Sequence, residues 1–509
     1  MRRAYQVAAV RAAERALMDL LPEGALMRRA AAGLASVCGS LLAGHPGHVY
    51  GARVVVLAGS GDNGGDALYA GALLARRGAA VTAITAGPKA HAGGTAELRA
   101  AGGRTRADLT AAAAGDLIAG AELIIDGLLG IGGRGGLREP FADLARQARN
   151  ASDYRGATVV AVDLPSGIDA DTGAVDGPAV RADVTVTFGV IKPGLLVDPG
   201  AGHAGTAELI DIGLGPYLTG EPAVMAPQHE DIAGLLPRPG PESDKYRRGV
   251  VGLLAGSDRF GGAVVLATGG AVRGGAGMVR VVTASAAAPA VRQAWPEAVL
   301  TVYPDEGGRD LIGSVGRVQA WVAGPGMSTG PDAVARLAAI LDTDLPVLVD
   351  ADGLTILSQH RDMLPRQAPT LITPHAGELA RLLGTEAADV EARRLEHAGR
   401  ATAELGATVL LKGSTTVVMD RTGGPVFVNP TGTPWLATAG SGDVLSGLAG
   451  SLLAQGLPPA EAGIAAAYLH GIAARLAAAG GPGGTGEAPI GAHDVITALP
   501  AAIRGVEAA

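Results

Sequence analysis

Apolar positions along the chain change period repeatedly. From about Val7 to Ala43 they recur at helical spacing, and beyond that short β-branched runs alternate with Ala-rich helical stretches. Val54–Leu57, Val81–Thr85, Leu123–Ile125, Thr158–Val162 and Val184–Thr187 are predicted strands, with helices between several of them. A second series comprises Val250–Leu254, Met278–Val282, Gln319–Val322, Pro346–Val349, Thr370–Ile372 and Thr408–Leu411, and a long Ala-rich helix is predicted from about Pro459 to Ala479. Strand–helix alternation implies parallel pairing through right-handed crossovers, so both halves are expected to be α/β. Between them, from Pro216 to Pro241, the pattern fades into a stretch rich in Pro, Gly and acids that reads as a linker and lead-in. The expected domains are residues 1–225 and 226–509. Their Gly-rich motifs differ, which argues for two domains and not a duplication.

A length of 509 residues exceeds one ordinary core. Abundant Gly and Ala suit the tight strand-to-helix turns of an α/β protein. A net charge of −8 and 3% aromatic residues speak against a nucleic-acid groove, which needs a basic stripe and stacking platforms. Cys38 is alone, so no intramolecular disulfide or thiolate metal cage is expected, and the expected compartment is the cytoplasm. Met1-Arg2-Arg3 is basic but is not followed by a leader-like apolar stretch. No uninterrupted apolar run reaches the roughly 18 residues of a membrane span, so none is expected. Lysine is scarce: only Lys89, Lys192, Lys245 and Lys412 occur. Where arginine serves as the generic surface charge, a retained lysine points to a need for a compact charge or a particular reach.

In the first half, the strand Arg53–Leu57 runs into Gly59-Ser60-Gly61-Asp62-Asn63-Gly64-Gly65-Asp66. This fits G-x-G-x-x-G, whose glycines let backbone N–H groups approach phosphate at a helix N-terminus. A tight turn with Asp66 near the helix N-cap is the competing reading. A hydride-transferring dehydrogenase expects an acid after its second strand, where this chain has Thr85-Ala86-Gly87-Pro88. Two further strand ends carry polar groups: Ile125-Asp126-Gly127-Leu128-Leu129-Gly130, leading into the loop Gly132 to Gly136, and Val162-Asp163-Leu164-Pro165-Ser166-Gly167. Carboxyl ends of parallel strands converge on one crevice, which would gather Asn63, Asp126, Asp163 and Ser166. Their oxygens suit a hard cation or a proton transfer. The alternative is that each Asp caps its own turn.

In the second half, Ala439-Gly440-Ser441-Gly442-Asp443 leads into an apolar helix from Val444 to Leu453. Small residues before a helix leave N–H groups free to neutralise phosphate, and an Asp just inside can take a proton from an attacking hydroxyl. A glycine turn with Asp443 as a cap is the alternative. No G-x-x-x-x-G-K-[ST] occurs, so this is no Walker-type NTPase.

The first-half segments, with Phe188-Gly189 and Lys192-Pro193-Gly194, resemble the NAD(P)H-hydrate epimerase family. That resemblance implies a Rossmann-like doubly wound domain. Residues Asp62, Asn63, Gly64, Gly65 and Asp66, and the loop Gly130, Ile131, Gly132, Gly133, Arg134, Gly135 and Gly136, would bind the hydrated cofactor. Asn63, Asp126 and Ser166 would hold K+, and Asp163 would contact substrate and handle protons. The family more often has Asn at 62 and Gly at 67, where this chain has Asp62 and Ala67.

The second half carries Gly324-Pro325-Gly326, Val349-Asp350-Ala351-Asp352-Gly353-Leu354, Thr373-Pro374-His375-Ala376-Gly377-Glu378 and Lys412-Gly413-Ser414-Thr415-Thr416, an order that resembles the ribokinase-like fold. Lys245-Tyr246-Arg247-Arg248-Gly249, Gly256-Ser257 and Phe260-Gly261-Gly262-Ala263 narrow the resemblance to the ADP/ATP-dependent NAD(P)H-hydrate dehydratase family. It implies that Ala263, Gly326, His375 and Asp443 meet the hydrated cofactor, and that Lys412, Gly413, Ser414, Thr415, Thr416 and Gly442 meet ADP with Mg2+. Phe260 replaces a commoner Tyr, and Thr431-Gly432-Thr433-Pro434-Trp435 departs from a usual Asn-Pro-Gly stretch. Together the two families imply repair of NADH hydrate and NADPH hydrate. The R and S hydrates would be interconverted with Asp163 as the catalytic group of the first half, and the S form then dehydrated with Asp443 as that of the second, releasing AMP and phosphate. A homo-oligomer with no nucleic-acid or membrane partner is expected. The competing function is a ribokinase-like vitamin kinase fused to a noncatalytic cofactor-binding domain.

Overall fold

The computed structural model describes residues 1–44, 47–85, 90–107, 109–133, 135–303, 309–480 and 486–508. The chain divides into two compact units, Arg3–Val224 and Met225–Ala509 with Met1–Arg2. β1 is Arg2–Ala4, at the boundary in the chain, and the strands of the first unit are β2 Arg53–Ala58, β3 Ala80–Thr85, β4 Arg104–Ala107, β5 Leu123–Gly127, β6 Thr158–Val162, β7 Val184–Phe188 and β8 Thr206–Ile210. Seven of these form a parallel sheet in the order β4-β3-β2-β5-β6-β7-β8. The chain moves outward from β2 to β4 and returns to β5 on the other side of β2, so the sheet reverses direction between β2 and β5. A crevice opens at such a point, at the carboxyl ends of the strands.

Alternate residues of each strand feed opposite layers. Val54 and Val56 pack with Leu34, Leu68 and Leu74, while Val55 and Leu57 pack with Ile118, Leu144 and Ala148. Both faces are covered by helices, which is why these strands read as near-continuous apolar runs. The edge strands β4 and β8 were not predicted. They are mostly exposed, and lack the β-branched run that betrays a buried strand. The single helical stretch expected from Val7 to Ala43 is two helices, Val7–Met18 and Ala25–Gly44. Pro22 interrupts the pattern, and Gly24 sits at φ +69°, a conformation glycine adopts without Cβ strain.

The second unit has strands β9 Val224–Ala226 at its start, then β10 Val250–Leu254, β11 Met278–Ala284, β12 Val299–Tyr303, β13 Ala320–Ala323, β14 Val347–Val349, β15 Thr370–Ile372, β16 Thr408–Leu411, β17 Thr416–Met419 and β18 Val426–Asn429. Its sheet runs β18-β17-β16-β15-β14-β13-β10-β11-β12. Pairing is parallel from β16 to β12 and antiparallel through β17 and β18, which the sequence reading missed together with β12. Here the reversal lies between β10 and β13. The predicted linker from Pro216 to Pro241 is more ordered than expected. It holds β9 and the helix His229–Leu235, whose Ile232 is fully buried in the core. The helices Gly261–Arg273 and Ser441–Ala454 touch through backbone. A Cβ on Gly447 would fall onto the carbonyl oxygen of Ala267, and one on Gly270 onto that of Val444.

Candidate functional site

In the first unit, β2, β5 and β6 deliver their polar ends to one crevice. Asp126, paired across the sheet with Leu57 and Ala161, is fully buried. One of its oxygens accepts from the Ser166 hydroxyl at 2.7 Å and from Leu128 N at 3.2 Å, and the other accepts from Ser166 N at 2.8 Å. Burial pushes the Asp126 carboxyl up to about 6, against the opposing pull of the Ser166 and Leu128 hydrogen bonds. Asn63 reaches from the first turn of the helix Asp62–Arg76, and its amide nitrogen donates to Leu129 O at 3.0 Å and to Val162 O at 2.7 Å. The Ser166 hydroxyl lies 3.0 Å from the same Leu129 carbonyl. The structure therefore brings Asn63, Asp126 and Ser166 together.

The donor set is one carboxylate, a hydroxyl, an amide and two carbonyls. Half a rotation of the Asn63 amide would turn its oxygen toward the same carbonyls, leaving converging oxygens that only a cation satisfies. Such a set fits a hard monovalent cation. No cluster of three His, Cys, Asp or Glu suited to a softer metal occurs among the described residues.

Asp163 follows β6 at φ +64°, in the left-handed region that costs an L-residue about 1 kcal/mol or more. Its side chain accepts from the Lys192 ammonium, from the Thr187 hydroxyl at 3.1 Å and from Phe188 N at 3.1 Å. Lys192 is 1% exposed and also donates to Thr187 and to the Phe188 carbonyl, each at 3.1 Å. Asp62 is exposed at the first turn of its helix, whereas Asp66 is buried one turn further in and not at the cap, which is Gly61. Gly64 packs on the Gly59 carbonyl, Gly65 against Met27 and His91, and Gly130 against Asn63. Gly132 lies beside Arg11 and Gly136 against Gly177; Gly133 and Gly135 border the same loop, with Ile131 half-buried. Arg134, Pro88 and Lys89 lie outside the described residues.

In the second unit, the ends of β10, β13, β14, β15 and β16 converge. Lys412, just past β16, bridges Asp350 at 2.7 Å and Glu378 at 3.7 Å. The second Asp350 oxygen accepts from the Ser446 hydroxyl at 2.6 Å, which ties the end of β14 to the helix Ser441–Ala454. Burial alone would lower the Lys412 ammonium, but Asp350, Glu378 and Asp443 together raise it. The glycine turn enters its helix through Gly440 at φ +85°. The Lys412 ammonium stands 3.5 Å from where a Cβ on Gly442 would be, so the glycine turn faces that charge directly. Asp443 follows in the first turn, its carboxyl pushed up to about 7 by burial and then by Asp350, with Lys412 opposing.

His375 caps the helix Ala376–Leu383. Its Nδ1 accepts from Gly377 N at 3.0 Å and from Glu378 N at 3.4 Å, while the His375 backbone N–H donates to the Glu378 carboxylate at 2.8 Å. The ring is left more than half exposed, so cap and ligand contact are compatible. Ala263 and Gly326 adjoin each other near Phe260, at the entry of the helix that packs on Ser441–Ala454. Gly413 lies against Arg394, which donates to the Leu411 and Lys412 carbonyls at 3.1 and 2.9 Å and so holds the loop continuing through Ser414 and Thr415 to Thr416. Trp435 anchors its indole on Glu487 at 2.7 Å, on a short turn beside that loop's neighbour Thr433.

Lys192, Asp350 and Glu378 stood in the quoted motifs without a role, and burial with a charged partner is what reveals them. The scarcity of lysine was the usable signal for the first. Glu14, half-buried with Lys192 and Asp163 acting on it, and Arg394 had no sequence signal at all. His470, pushed down to about 4 by burial against the pull of the Ser441 backbone, lies behind the glycine turn and was also missed.

A family model described as YjeF-related protein N-terminus matches residues 23–194, and one described as NAD(P)H-hydrate dehydratase matches residues 251–485. The bifunctional NAD(P)H-hydrate repair enzyme Nnr of Mycobacterium leprae is 47% identical over 509 residues, spanning 99% of this chain and 100% of that protein. The enzyme of the same name from Moorella thermoacetica is 34% identical, spanning 91% and 89%. Among solved structures, a ribokinase-like superfamily protein of Enterococcus faecalis is 25% identical with a TM-score of 0.50, covering 56% of this chain and 96% of its own. The second unit is thus ribokinase-like, and the chain belongs to the family of bifunctional NAD(P)H-hydrate repair enzymes.

Proposed function

We infer that this chain repairs hydrated NADH and NADPH, as an isomerase in its first unit and a lyase in its second. Hydration of the reduced nicotinamide ring gives two epimers at one carbon. The first site interconverts them, and the second dehydrates the S form to NAD(P)H with ADP, releasing AMP and phosphate. The observation that carries the reading is the pairing of Asp443, with its raised pKa, and a glycine turn at a helix N-terminus facing Lys412. A base and a phosphate cradle side by side suit phosphoryl transfer to a ring hydroxyl.

The chemistry runs as follows. Asp443 takes the proton of the ring hydroxyl as its oxygen attacks the terminal phosphorus of ADP, and AMP leaves. N–H groups at the start of the helix Ser441–Ala454 hold the transferred group, with Lys412 supplying fixed positive charge. Inorganic phosphate then departs with the C–O electrons, a ring proton is lost from the adjacent carbon, and the double bond returns. Lys412, Gly413, Ser414, Thr415, Thr416 and Gly442 are assigned to ADP, which enters with Mg2+. Ala263, Gly326 and His375 are assigned to the hydrate.

In the first unit Asn63, Asp126 and Ser166 are assigned to K+, which would supply positive charge to the site when bound. Asp62 to Asp66 and Gly130 to Gly136, Arg134 included, are assigned to the hydrate, and Asp163 to proton handling. Asp126→Ala is expected to weaken epimerisation and potassium binding while leaving dehydration of the S form intact. Epimerisation by that variant at the wild-type rate across potassium concentrations contradicts the ion site.

The proposal includes the cytoplasm as compartment, supported by the buried, free Cys38. No helix among the described residues is long and apolar enough to cross a membrane. Assembly into a homo-oligomer belongs to the proposal too, and light scattering of the full chain reads it directly.

A further inference from the structure

We propose that Asp66 is the general acid of the first active site, acting beside Asp163 as the base in the interconversion of the hydrate epimers, a role that rests on the epimerase reading above. Asp66 is 8% exposed, and its buried Oδ1 has no hydrogen-bond partner among the described residues. The charged groups around it are mostly acids: Asp163 from the end of β6, Asp62 from its own helix, and Glu14 from the helix Val7–Met18. Lys192 directs its hydrogen bonds at Asp163, Thr187 and the Phe188 carbonyl, and Arg11 acts on Glu14. His91, beside Gly65, is engaged in accepting from Gly94 N at 3.0 Å.

An unpartnered, buried carboxylate among other acids is too costly to ionise, so Asp66 keeps its proton. Burial first, and then Asp163, Asp62 and Glu14, hold its pKa well above the usual carboxylate range. Asp163 is treated oppositely, since an ammonium, a hydroxyl and a backbone N–H all donate to it. Two neighbouring carboxyls in such different surroundings, one without a partner and one held by three donors, suit the roles of acid and base.

The substrate needs such a pair. Hydration of an enamine places the hydroxyl on the carbon beside the ring nitrogen. To invert that carbon, its C–N bond breaks, the electron pair stays on nitrogen, and nitrogen takes the proton of Asp66. The O–H electrons of the hydroxyl form the carbonyl as its proton passes to Asp163. After rotation about the adjacent C–C bond, both transfers reverse: nitrogen attacks the other carbonyl face, Asp66 recovers its proton and Asp163 returns one to oxygen. Nothing is oxidised, reduced or consumed.

The test uses the full chain, a purified single epimer of NADH hydrate and the variants Asp66→Asn and Asp66→Glu. Asn replaces a neutral acid by a neutral amide, so the fold survives, and dehydration of the S form with ADP in the same sample reports this. Epimerisation by Asp66→Asn should fall by about a hundredfold or more in kcat with KM little changed. Asp66→Glu should recover part of that rate. Wild-type kcat should decline at alkaline pH, and the residual activity of the Asn variant should lack that decline. A raised KM with near-normal kcat in Asp66→Asn, or an unchanged pH profile, makes Asp66 a binding residue and overturns the proposal. Wild-type enzyme that dehydrates but never interconverts epimers removes the epimerase reading itself.

Discussion

Asp443 joins stability and function in one side chain. Its folded pKa of about 7 lies above the 3.8 of an unfolded Asp, so the folded state binds a proton that the unfolded state releases. Stability contributed by this residue therefore declines as pH rises from about 4 to about 7, and the full cost of its burial is felt above that. Asp443→Asn should raise Tm relative to wild type, and more at pH 8 than at pH 5, by calorimetry. The same substitution removes the base: single-turnover NADH formation should drop by roughly a hundredfold or more while ADP still binds. For wild type, dehydration should rise with pH through about 7 as the carboxylate form appears. A mere cap would lose little activity, because Asn caps nearly as well as Asp.

At Lys192 the buried charge is stabilising, because it is paired. Removing this buried ammonium leaves Asp163 with a charge that two neutral donors alone must hold. Lys192→Met should destabilise the first unit by about 3–5 kcal/mol, and the double variant with Asp163→Asn should recover much of it. Additive losses in denaturant titrations would contradict the pairing. Both residues were visible in the sequence, Asp163 through its motif and Lys192 through the rarity of lysine. What the sequence withheld was their contact, made across a gap of 29 positions by the turn after β7.

Among elements, those buried on both faces were legible, because parallel strands between two helical layers give unbroken apolar runs. Such were β2, β5 and β6, and β10 and β13 to β16. The exposed β4 and β8 and the β17–β18 hairpin had no comparable pattern, and the helix holding Ile232 was concealed by the prolines and acids around it. Contact between the helices Gly261–Arg273 and Ser441–Ala454 was also out of reach, since a glycine in an apolar helix looks merely weak. It is required there. Gly447→Ala should force the helices apart, costing about 1–3 kcal/mol and lowering dehydration, because Ser446 would shift from Asp350. Unchanged Tm and unchanged dehydration would contradict that packing.

For the whole molecule, each unit has its own sheet and its own core, and each site is built from strand ends of a single unit. Residues 1–225 and 226–509 expressed separately are expected to be soluble and to keep their own activities, with insolubility of both halves contradicting independent cores. The central claim is that two such sites form one repair sequence, and recovery of nicotinamide absorbance from separated hydrate epimers tests it. With ADP, the full chain should restore NADH from both epimers, whereas residues 226–509 alone should use only the S form. Without ADP neither should be restored. Full restoration of the R form by the second half alone, or a stable phosphorylated product in place of NADH and phosphate, would contradict the account.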